Sequence, residues 1–263
     1  METNDTVMGL LAGSKLAAQT LKITEGSQLQ LSKIFPRVEH IERFNLTTDH
    51  ARIILENAET LLGTMAIPQI LALHEDMMID MLRMLELDNP SRGDLSKDAK
   101  SANVHERFMA ATGIEFQEDV LKLFHLVRQA RNTHIHEGRR ADRRLVNGLN
   151  STKRSALELW AMITKEEFPR YKVNDLVRLG LPELIGILAL TKVLAEEANE
   201  ALQSSISHQT WADTIVADWK VDKRPGNPDQ QFRQITGLTR REYSVLEIPE
   251  EELRDAMVRA GLK

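Results

Sequence analysis

Arg131, Asn132 and His136 stand within the string Arg131-Asn132-Thr133-His134-Ile135-His136, and these residue types at this spacing suit one kind of chemistry. A histidine titrates near neutrality, so it can take the proton from a ribose 2′-hydroxyl or protonate a leaving 5′-oxygen. An arginine fork holds a phosphate and stabilises the extra negative charge of the transition state. Asn132 can hydrogen-bond a phosphate oxygen or orient His136. Together they suit metal-independent cleavage of an RNA phosphodiester, with Arg131, Asn132 and His136 as the catalytic residues. On a continuous helix Asn132 and His136, four apart, share a face, whereas the five-residue step from Arg131 to His136 opens roughly 140° between them. One chain therefore spreads its polar groups over an arc. Two copies across a twofold axis would line one cleft with two arginines and two histidines, so this chemistry calls for a homodimer.

The surrounding charge is consistent with a phosphate-bearing ligand. From Arg128 to Arg154 there are eight Lys/Arg against two acids, a net of +6; with −5 for the whole chain, the remainder carries −11. Such a patch on an acidic body guides a polyanion to one place. Arg128, His134, Arg139, Arg140 and Arg143 are the expected RNA-binding residues, with Arg144 beside them. Arg128 and His134 also form an overlapping Arg–His pair; Arg131 with His136 is preferred because Asn132 then follows the arginine directly. A packing or supporting role for His134 outweighs direct contact. The bland reading of the whole string is a helix end whose cations face its last carbonyls. A metal reading of His125, His134 and His136 is not preferred, since alternate residues share a face on a strand and not on a helix. No metal and no cofactor are expected. His74-Glu75-Asp76 reads as a buried polar cluster or dimer contact, and the methionines at 77, 78, 81 and 84 as core or interface filling.

Helices must position these groups. Leu, Ala, Met and Glu are plentiful, aromatics are only 5%, and period-2 alternation is nearly absent, so the fold class is all-α, an antiparallel helical bundle. Residues 1–45 read as an N-terminal extension interrupted by Gly9, Gly13 and Gly26. Residues 46–210 read as the bundle. A helix opens at Thr48-Asp49; Gly63 and Pro68 break it, and Pro68 starts a second helix reaching about Leu87. A third, from about Phe116, carries Val120, Phe124 and Val127 inward and runs into Arg131. Ser155–Phe168 is a further helix, and Leu181-Pro182-Glu183 opens the last strong one, which ends near Ile206. Residues 211–263 form a C-terminal arm or small helical subdomain, with packing as the expected task of Trp211 and Trp219. A turn cluster spans Lys223 to Pro228. Two short helices then start at Thr239, with Glu242 at capping-box spacing, and at Pro249.

There are no cysteines, which excludes a disulfide framework and a thiolate site. The apolar stretches fall short of the ~20 residues that span a bilayer, and no basic region precedes an apolar run at the start, so the expected location is the cytoplasm. No Gly-rich phosphate loop, serine-nucleophile motif or dinucleotide fingerprint is present.

At Arg131-Asn132-Thr133-His134-Ile135-His136, followed by Glu137-Gly138, the chain resembles the HEPN family, whose signature is Arg, a polar residue, three variable residues and His. The likeness extends over about residues 46–208, through the preceding helices and the late helix around Leu184–Leu202. It implies a HEPN-like bundle and a dimeric, metal-independent endoribonuclease. In prokaryotes such proteins are often toxins or phage-defence (abortive-infection) effectors, with a cognate antitoxin or inhibitor protein as partner. Where a subgroup of the family carries a tyrosine two residues after the histidine, this chain has Gly138, so control through that tyrosine is not implied. Some members bind RNA or protein without cutting, which makes a non-catalytic RNA- or protein-binding module the alternative, with a purely structural interaction protein as a third reading.

Overall fold

The computed structural model describes residues 2–221 and 226–262. These fold into thirteen α-helices with three short 3-10 turns, and the fold is all-α. In chain order the helices are α1 (Glu2–Leu21), α2 (Leu31–Ile34), α3 (Ile41–Phe44), α4 (Thr48–Glu56), α5 (Ala58–Asp88), α6 (Val104–Thr112) and α7 (Glu118–His136). There follow α8 (Arg143–Asn150), α9 (Arg154–Thr164), α10 (Leu181–Ser205), α11 (His208–Val221), α12 (Pro228–Glu242) and α13 (Glu250–Arg259). Two compact units are formed, one from Met1–His74 with Gln117–Leu194, the other from Glu75–Phe116 with Ala195–Lys263.

In the first unit, α7 is the central element. Val120, Leu123, Phe124, Leu126, Val127 and Ala130 recur at helical spacing and are buried, giving α7 a continuous apolar stripe. α8 and α9 pack on it. Gly148 lets α8 come close, since a Cβ there would lie 2.9 Å from Gln129 Oε1 and 3.1 Å from Leu126. Trp160 of α9 is fully buried, 4.6 Å from the Phe168 ring, and its six-membered ring fills the space above Gly186 of α10. α1 packs along α4 through Leu11, Ala18, Leu21 and Ala51.

Several helix boundaries differ from those expected. α1 runs unbroken through Gly9 and Gly13, because packing on α4 outweighs the roughly 1 kcal/mol each glycine costs. The break after α4 falls at Asn57, whose side chain bonds the Ile53 carbonyl and caps the helix. α5 then continues through both Gly63 and Pro68. Pro68 removes one helix bond at a cost of about 3 kcal/mol, and the burial of Ile67, Ile70 and Leu71 around it offsets that. Gly63 is required by a tertiary approach: a Cβ there would meet the carbonyl oxygens of Leu179 at 2.6 Å and Gly180 at 2.9 Å. α9 ends at Thr164, short of Phe168, where Lys165 turns left-handed at φ 63°.

In the second unit, α11 packs against α12 and α13. Trp211 and Trp219 are buried in it, and Trp219 Nε1 donates to Gln234 Oε1 at 3.1 Å, which accords with a packing role. The expected helix start at Thr239 is not there: Thr239 is buried inside α12, its hydroxyl bonded to the Ile235 carbonyl. The capping box of α12 belongs instead to Asn227 and Gln230, each side chain accepting from the other's backbone N–H. Pro249 caps α13 as expected, ahead of three glutamates in the first turn. Residues 223–225 of the expected turn cluster lie outside the described residues. Among the described residues no helix is long and apolar enough to cross a membrane.

Candidate functional site

The site is the C-terminal end of α7 and the segment after it. Helix spacing commits one face of this end to the core, so Thr133 and His134 are buried while Ile135 and His136 are exposed. Arg131 and Asn132 lie half-buried between these extremes, and Arg131 donates to Asn132 Oδ1 at 2.9 Å. Asn132 thereby orients the guanidinium, whereas the expected partners of its side chain were a phosphate oxygen or His136. The Nε of Arg131 is buried and has no hydrogen-bond partner among the described residues.

The overlapping pair is drawn into the fold. His134 Nδ1 lies 3.2 Å from the Val177 carbonyl, and since that oxygen only accepts, the proton sits on Nδ1. Nε2 of His134 is buried and without a protein partner among the described residues. Arg128 donates from Nε to His125 Nδ1 at 3.3 Å. Burial pulls the His125 imidazole down to about 4, with the Arg128 and Lys122 charges acting in the same direction. Among the described residues no group of three or more His, Asp or Glu is placed to hold a metal ion.

Beyond His136 the chain reverses at once. The Arg140 N–H donates to the Glu137 carbonyl at 3.1 Å, with Gly138 at φ 60° and Arg139 at φ 65° between them. Positive φ at both central residues is the pattern of a type I′ turn, which Gly accepts freely and Arg only at a cost. Residues 139–141 then pair antiparallel with 174–177. The Ala141 N–H donates to the Asp175 carbonyl (2.8 Å), Asn174 N–H to the Ala141 carbonyl (2.9 Å), and Val177 N–H to the Arg139 carbonyl (2.8 Å). Arg140 adds a guanidinium bond to the Asn174 carbonyl at 3.0 Å. Asp142 then caps α8 by accepting from the Leu145 N–H.

Arg139 and Arg140 on this reversal, and Arg143 and Arg144 at the start of α8, are all exposed, so the expected basic cluster is presented to solvent soon after His136. The pairing also brings in residues that sequence reasoning missed. Arg170, Lys172 and Arg178 are exposed on the opposing segment, which lies in neither neighbouring helix and carries no periodicity to mark it. Only the spacing of basic residues between Pro169 and Pro182 hinted at it.

No family model, curated protein or solved structure matches this chain.

Proposed function

We propose that the chain is a metal-independent endoribonuclease of HEPN type, acting as a homodimer, with Arg131, Asn132 and His136 in a composite site. The observation that carries the reading is the exposure of His136 directly before the solvent-facing Arg139, Arg140 and Arg143, with Arg131 held by Asn132 about 1.4 turns earlier. His136 of one copy takes the proton of a ribose 2′-hydroxyl. The 2′-oxygen attacks the adjacent phosphorus, and the 5′-oxygen leaves with a proton from His136 of the second copy. The products are a 2′,3′-cyclic phosphate and a 5′-hydroxyl. Arg131 stabilises the charge that builds on the phosphoryl oxygens. Ile135, 47% exposed next to His136, is apolar surface that a second copy would cover. A toxin or defence role, with an inhibitor protein as partner, extends this proposal by analogy alone.

The test is RNA cleavage in EDTA by the wild type and by His136→Ala. The variant is expected to lose at least about a hundredfold in rate, the range of a lost general acid–base, while its thermal melt and light-scattering mass stay unchanged. Cleavage at the wild-type rate, or a monomeric mass for active protein, overturns the composite site. RNA bound but left intact by the wild type makes the chain a non-catalytic RNA-binding module.

A further inference from the structure

The antiparallel pairing of 139–141 with 174–177 sets Arg139 and Arg140 beside a segment whose exposed cations, Arg170, Lys172 and Arg178, flank the paired residues, and the two backbones cannot separate without losing three backbone bonds and the Arg140–Asn174 bond. We infer that these two bridged segments and their flanks form a backbone-binding track for RNA, in which Arg170, Lys172 and Arg178 act together with Arg139, Arg140 and Arg143. The inference rests on the RNA reading of this face but not on cleavage.

Three features favour RNA. Five of the six cations are arginines, whose planar forks match phosphate oxygens in pairs. All six are exposed. The two acids inside the stretches are turned onto backbone: Asp142 accepts from Leu145 N–H at 2.8 Å and Asp175 from Lys172 N–H at 2.7 Å. These carboxylates are held against the turns and not against the arginines, and Glu137, Glu166 and Glu167 only flank the track. The backbone bonds between the two segments hold the backbones that carry Arg139 and Arg140 and lead directly into Arg178, so less of the protein backbone has to be ordered when a polyanion binds. The track begins at Arg139, just past Gly138 and the end of α7, so an RNA strand lying along it passes His136.

The inference is tested by RNA binding in the His136→Ala background, where the RNA stays intact, using a fluorescent single-stranded oligoribonucleotide across a salt series. Neutralising three phosphate contacts on a single strand lowers the slope of log affinity against log salt by about 2. The expected result is such a fall for Arg170→Gln/Lys172→Gln/Arg178→Gln, with an unchanged thermal melt. If Arg178→Gln disturbs the fold, the double variant Arg170→Gln/Lys172→Gln is expected to lower the slope by about 1.4. An unchanged slope and affinity in a folded variant overturns the track. Tighter binding to polyglutamate than to RNA of equal charge also overturns it, and would make these segments a seat for an acidic protein. Failure of the wild type to cut RNA defeats the proposed reaction and leaves these binding results to stand by themselves.

Discussion

His136 and His134 are two residues apart and have opposite fates, and the cause is the helix. With about 100° between successive side chains, a step of two turns one imidazole into the core and the other into water. His134 becomes a strut between α7 and the Val177 carbonyl, whereas His136 is left exposed at the helix end. The turn that follows depends on one glycine. A Cβ on Gly138 would meet nothing within 4 Å, so the cost of placing a side chain there is conformational alone. Gly138→Ala is expected to lower unfolding free energy by about 1 kcal/mol, and Gly138→Asn by less, because asparagine tolerates the left-handed region. Urea unfolding of the two variants checks this, and equal stability of Ala and Gly would mean the turn is not held at positive φ in solution.

At the scale of elements, Gly63 reverses an ordinary rule. Replacing a helix-interior glycine with alanine normally gains up to about 1 kcal/mol. Here the new methyl would stand 2.6 Å from the Leu179 carbonyl oxygen and 2.9 Å from that of Gly180, and backbone cannot rotate aside as a side chain can. Overpacking of this kind costs about 1–3 kcal/mol, which outweighs the propensity gain. Gly63→Ala is therefore expected to lower the melting temperature measured by calorimetry, and a rise would show that α5 and the 179–180 segment part easily. The same approach explains why Gly63 did not read correctly as a helix breaker. Its local meaning is freedom, and its actual task is to admit a distant stretch of backbone. Pro68 is a parallel case, since the apolar residues around it decide more than its missing N–H. Thr239 misled for a simpler reason: a Thr-x-x-Glu spacing fits a helix start, but Asn227 and Gln230 cap the helix at Pro228, and α12 then runs through Thr239.

At the scale of the whole molecule, buried histidines tie stability to pH. His74 is 5% exposed, with its ring 5.1 Å from that of Phe124, and burial pulls its imidazole down to about 4. The folded state thus binds this proton less readily than the unfolded chain does. Stability is full above about pH 6.5 and falls as the pH drops toward 4, by up to about 3 kcal/mol for His74. His125 acts in the same direction over the same window. His74→Phe is expected to flatten the loss of stability between pH 6.5 and 4 in denaturant titrations. An undiminished slope would show that other groups carry it.

The sequence by itself determined what depends on near neighbours. Helical periodicity set the all-α class and the buried stripe of α7, the glutamates after Pro249 marked the start of α13, and the run of arginines after His136 marked a basic surface. These signals are local because a helix closes its bonds within four residues and shows its faces within seven. Only the tertiary structure decided that His134 would be anchored to Val177, that Arg131 would be oriented by Asn132 at a half-buried depth, and that 139–141 would pair with 174–177. The pairing joins Ala141 to Asp175 and Arg139 to Val177 through backbone groups that every residue possesses, so no side-chain pattern announces it. It is also what sets Arg170, Lys172 and Arg178 next to the arginines already legible in the chain.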